Sequence, residues 1–155
     1  MAAPILMRSE NNYPGLTLTN VTGSRSESPV PASNSEFLID RNQTVTVEVA
    51  WDTTGSTPVA HHALEHLADW EGEAVMHAIS ATAVTATVAG TPVAFVQGPA
   101  SMTFTFAADT LTQGMYQLFV RLSLKDKPAF PPQHYLPVNL VGRSDTVLIF
   151  DAIDF

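Results

Sequence analysis

Cysteine is absent from the 155 residues. That removes disulfide staples, thiolate metal ligands and cysteine nucleophiles, and it leaves the redox compartment open. Basic residues are scarce, seven Lys and Arg against 15 Asp and Glu, for a net charge of −8. Phosphate backbones are held by clustered cations. No three of the seven adjoin in the chain, so nucleic acid is not an expected partner. No apolar run approaches the ~18 residues of a membrane span. Residues 1–8 carry no charge ahead of Arg8, unlike a secretory leader, so a cytoplasmic location is the default expectation. Nucleophile-elbow, P-loop and dinucleotide glycine patterns are all missing, which leaves serine hydrolase, nucleotidase and Rossmann chemistry without an anchor.

What remains is a globular composition, 45% hydrophobic and 14% charged, in a length that suits one domain. Residues 1–35 read as an N-terminal arm with one short strand near 16–21. Residues 24–35 are polar, proline-containing and aperiodic, which suits a loop. From residue 36 to 155 the pattern is β. Val45, Val47, Val49 and Trp51 alternate with polar neighbours, as do Met102, Phe104 and Phe106. Val75, His77 and Ile79, residues 82–88, Tyr116 to Leu122 and residues 146–155 add further strands. Residues 126–137 hold four prolines and read as a long loop. About seven strands with turn signals between them predict an all-β, Greek-key β-sandwich.

One signature is more specific. Leu111, Gly114, Tyr116 and Leu118 fall where a turn and a glycine precede a tyrosine that opens an alternating strand. This resembles the tyrosine corner of immunoglobulin-like sandwiches, in which the Tyr hydroxyl bonds backbone a few residues upstream. The chain resembles bacterial immunoglobulin-like domains over residues 36–155, without the sheet-bridging cysteines of the antibody branch. The resemblance implies a module for binding, spacing or assembly, with Trp51 or Trp70 at the centre of the core.

The segment at 60–70 has helix-forming composition inside this β context. His62-Ala-Leu-Glu-His66 matches H-x-x-E-H, and on a short helix near 60–70 the two imidazoles share a face. The segment is locally similar to the zinc motif of the pitrilysin family, which implies His62 and His66 as ligands and Glu65 as the base that activates water. That family's third ligand is a downstream glutamate, and this chain has no Glu after Glu73. Two imidazoles alone leave zinc undercoordinated.

The expected function is therefore non-enzymatic: a sandwich module that contacts protein, itself included, and needs no cofactor. Its expected contact residues are Phe130 and Tyr135 in the proline-rich loop and Val147, Ile149 and Phe155 in a terminal strand apolar on both faces. The alternative is a zinc-binding or zinc-dependent hydrolytic module centred on His62, Glu65 and His66. Two lesser expectations are a carbohydrate platform built from Trp70, Phe130 and Tyr135, and a solvated acidic turn at Asp69, Glu71 and Glu73.

Overall fold

A computed structural model turns the alternating pattern into ten strands: β1 (Ala3–Asn11), β2 (Leu18–Ser28), β3 (Leu38–Asp40), β4 (Thr44–Thr53), β5 (Ala68–Ala78), β6 (Ala86–Ala89), β7 (Val93–Ala94), β8 (Gly98–Phe106), β9 (Gly114–Asp126) and β10 (Tyr135–Phe150). The structure describes residues 3–13, 15–29, 37–53, 64, 67–128 and 134–151. The strands form one hydrogen-bonded path in the order β6-β5-β9-β10-β1-β2-β4-β8, with β3 beside β10 and β7 beside β5. Every pairing is antiparallel except β3 with β10.

The path folds back on itself at β1. Residues 3–5 pair with β2, and Leu6 to Asn11 pair with β10. Two halves result, β2-β4-β8 and β6-β5-β9-β10, which face each other across the apolar core. At the far side β8 approaches β6 without pairing, so the molecule is nearly barrel-shaped. Trp51 of β4 and Trp70 of β5 meet at the centre, ring centroids 5.1 Å apart and planes tilted by 57°. This tilted geometry suits two π-systems better than a flat stack. Both tryptophans therefore fill the core, and Leu64 packs into it from the connection between their strands.

The tyrosine hydroxyl bonds as its position in the chain predicts. Tyr116 donates to the carbonyl of Thr112 at 2.8 Å and accepts from the amide of Val84 at 3.2 Å. Gly114 has φ +145°, and a Cβ there would stand 2.6 Å from Ser80 Oγ. That same Oγ accepts from the Met115 amide at 2.9 Å. The corner thus ties the start of β9 to the connection that follows β5.

Several expectations change. The described part of the expected 1–35 arm is not irregular, because β1 and β2 are full members of the path. The polar sequence of β2 hid its role. Arg25 and Glu27 stand opposite Val47 and Val45, on the core-facing side, where they form a 2.7 Å ion pair with both side chains under a tenth exposed. A charge is tolerated inside only when paired, and each carries the other in. Ala68, Asp69 and Trp70 open β5 instead of closing a helix. The described residues form ten strands where about seven are expected. Among the described residues, no helix is long and apolar enough to cross a membrane.

Candidate interaction surface

The outer face of β5-β9-β10-β1 gathers what the chain scatters. A strand's side chains alternate between faces, so in β9 the phase Tyr116, Leu118, Val120 and Leu122 is buried, and Met115, Gln117, Phe119 and Arg121 face out. Register aligns these with neighbours in rows across the sheet. One row reads Leu6, Arg143, Phe119, Val75. The next reads Arg8, Val141, Arg121, Glu73, and the one after reads Glu10, Asn139, Ser123, Glu71.

Neighbouring strands lie about 4.8 Å apart, so Arg8 and Arg121 flank Val141 with Arg143 one row away. Three of the seven basic residues of an acidic protein therefore share one patch. Between them runs a groove of about 460 Å³ lined by Leu6, Met7, Arg8, Phe119, Val141 and Arg143. Leu6 is 71% exposed and Phe119 38%. The His77 ring stands edge-on to Phe119 at 6.1 Å, which fixes the phenyl orientation without covering it. Arg8 pairs with Glu10 at 2.9 Å, and Arg121 reaches Asn139 only at 3.5 Å. These contacts lie in solvent and hold the guanidinium groups weakly. The weakly held guanidinium groups can therefore share or exchange these contacts with an outside carboxylate or ring.

A second depression of about 340 Å³ adjoins, lined by Glu71, Glu73, Ala89, Arg121, Ser123 and Tyr135. Lys125 bonds Glu71 at 3.3 Å and sits 5.1 Å above the Tyr135 ring. The face therefore grades from acidic on β5 to basic on β9, β10 and β1.

The residues singled out in the sequence fall in different places. Tyr135 is exposed and borders the second depression. Val147 and Ile149 are each 1% exposed, core residues with no surface to offer a partner. At Ile149 the strand also has no free edge, since β10 there runs between β9 and β3. Its outward apolar residue is Leu148, 37% exposed. Trp70 is fully buried, which removes it from a carbohydrate platform. Phe130, Phe155, His62, Glu65 and His66 lie outside the described residues. Among the described residues no cluster of three or more His, Asp or Glu stands in reach of one metal ion.

Sequence reasoning missed Leu6, Arg8, Phe119, Arg121, Val141 and Arg143. The signal that marks two of them is the outward phase of β9, where Phe119 and Arg121 stand opposite a wholly apolar inward phase. No family model matches the chain, and searches of curated proteins and of solved structures give no match.

Proposed function

We propose that this protein is a non-enzymatic, immunoglobulin-like sandwich module that works by protein contact, through the outer face of β5-β9-β10-β1. Strand order supports the immunoglobulin-like reading. On that reading the set β2-β4-β8 takes the places of strands A, B and E, and β6-β5-β9-β10 those of C′, C, F and G. Tyr116 then sits near the start of strand F, with its hydroxyl on backbone upstream.

The observation that carries the functional reading is the groove around Val141. Exposed leucine and phenylalanine beside three arginines is the composition of contact surfaces, where aromatic residues and arginine contribute most of the binding energy. The outer face of the other half differs. Ser24, Glu48 and Thr103 form one row there, and Ser26, Thr46 and Thr105 the next, with no large apolar side chain. Such a face stays hydrated.

A photo-crosslinking residue in place of Phe119 is expected to trap an identifiable protein, another copy of this chain included. The same residue in place of Thr103 is expected to trap none. Equal trapping from both positions, or none from either, sinks the contact reading. The zinc alternative stays a sequence proposal on His62, Glu65 and His66, and stoichiometric zinc abolished by His62→Ala would favour it.

A further inference from the structure

Building on that reading, we infer that the partner is a second copy of this chain, packed face to face through the β5-β9-β10-β1 sheet about a two-fold axis. The inference comes from the order of charges along the rows. A two-fold axis that brings one sheet face against its own copy lies in the plane between them. With the axis parallel to the strands and midway between β9 and β10, it exchanges β9 with β10 and β5 with β1. Each row then meets itself reversed, as an isologous contact requires.

Reversal makes the two central rows complementary. In the row Arg8, Val141, Arg121, Glu73, the reversed copy sets Glu73 over Arg8 at both ends and Arg121 over Val141 between them. In the row Leu6, Arg143, Phe119, Val75, it sets Val75 over Leu6 and Phe119 over Arg143. The first match is an acid–base pair made twice. The second gives two aliphatic contacts and two guanidinium groups on phenyl faces, a geometry favoured by the ring quadrupole. A shift by one strand would break both rows at once.

The third row is the test of consistency. Reversal sets Glu71 over Glu10; Glu71 is neutralised within its own chain by Lys125 at 3.3 Å, and Glu10 by Arg8 Nη2 at 2.9 Å, so that the Arg8 guanidinium is shared between Glu10 and the Glu73 of the other copy. The groove fills the same need. At a sheet separation of about 10 Å, the phenyl and leucine side chains of one copy enter the depression of the other. A net charge of −8 per copy opposes association at long range, so a specific pairing must oppose unlike charges locally.

Charge exchange tests the geometry. The wild-type chain is expected to give twice 16.7 kDa by sedimentation or light scattering at concentrations where the single variants are monomers. Arg8→Glu and Glu73→Arg each place like charges in contact, and each is expected to weaken dimerisation about tenfold or more. The two variants mixed restore the dimer. The new carboxylate at position 8 of one chain meets the new guanidinium at position 73 of the other, while the second pair stays native. The chain carrying both changes also dimerises. An unchanged near-ultraviolet signal from the Trp51–Trp70 pair shows that each variant is folded.

A wild-type monomer at every concentration overturns the inference. So does a dimer indifferent to both single changes, or a mixture of folded variants that stays monomeric. If the wild type is monomeric while the crosslinker at position 119 traps a different, identified protein, the second copy is refuted and the contact face stands.

Discussion

Tyr116 shows how much one hydroxyl organises. Its oxygen joins the Thr112 carbonyl, the Val84 amide and Thr112 Oγ1, the last at 2.8 Å, so it closes a loop between the end of β5 and the start of β9. The ring is wholly buried, whereas Thr112 and Val84 are exposed and the Val84 amide also donates to Thr112 Oγ1 at 3.1 Å. Tyr116→Phe keeps the packing and removes the bonds. The expected loss is about 0.5–1.5 kcal/mol, the net contribution of an ordinary hydrogen bond whose remaining partners can still reach water. Urea unfolding checks it through a lower midpoint at unchanged slope. A loss of a few tenths of a kilocalorie would mean that the hydroxyl is not what holds the corner. This residue was legible from the sequence because the motif is local: turn, glycine, tyrosine and strand occupy eight consecutive positions. The arginine face was not, because Arg8, Arg121 and Arg143 become neighbours only through the register of β1, β10 and β9.

Among the elements, β4 and β8 were readable since one face of each is apolar and the other mostly polar, and β9 since its inward phase is unbroken from Tyr116 to Leu124. β2 failed that test because Arg25 and Glu27 point inward as a pair and Gly23 offers no side chain. β1 failed for a different reason. Its inward run is short, Ala3 and Ile5, before the strand passes from one half to the other. Met7 fills the bend, and it has room only because glycines face it. A Cβ on Gly142 would overlap the Met7 sulfur, and one on Gly23 would lie 2.9 Å from it. Methionine is flexible enough to move, but the space it leaves is the bend itself. Gly142→Ala is therefore expected to displace β1 at an overpacking cost of about 1–3 kcal/mol. Hydrogen exchange would show it as faster amides in Ala3–Asn11 with β4 and β8 unchanged. Uniform acceleration through all strands would refute a local role.

At the scale of the whole molecule, β1 is the strand that makes two halves into one hydrogen-bonded path. Without it the halves share core contacts but no backbone ladder among the described residues, since β8 and β6 approach without pairing. Its removal bares the edge of β10 along Val138 to Arg143 and the edge of β2 along Gly23 to Arg25. Unpaired edges of this kind seek other strands. It also uncovers Arg25, a charge that tolerates burial only in a complete setting. An N-terminal arm serving assembly alone would behave differently when cut. A chain starting after residue 13 would then melt at the native temperature and merely fail to associate. The topology predicts the opposite: truncation lowers the melting temperature by many degrees and makes the chain aggregate as it unfolds. Calorimetry on the truncated and full chains separates the two outcomes. A truncated chain with the native melting temperature would show that the two halves are held by their shared core, with β1 only laid across them.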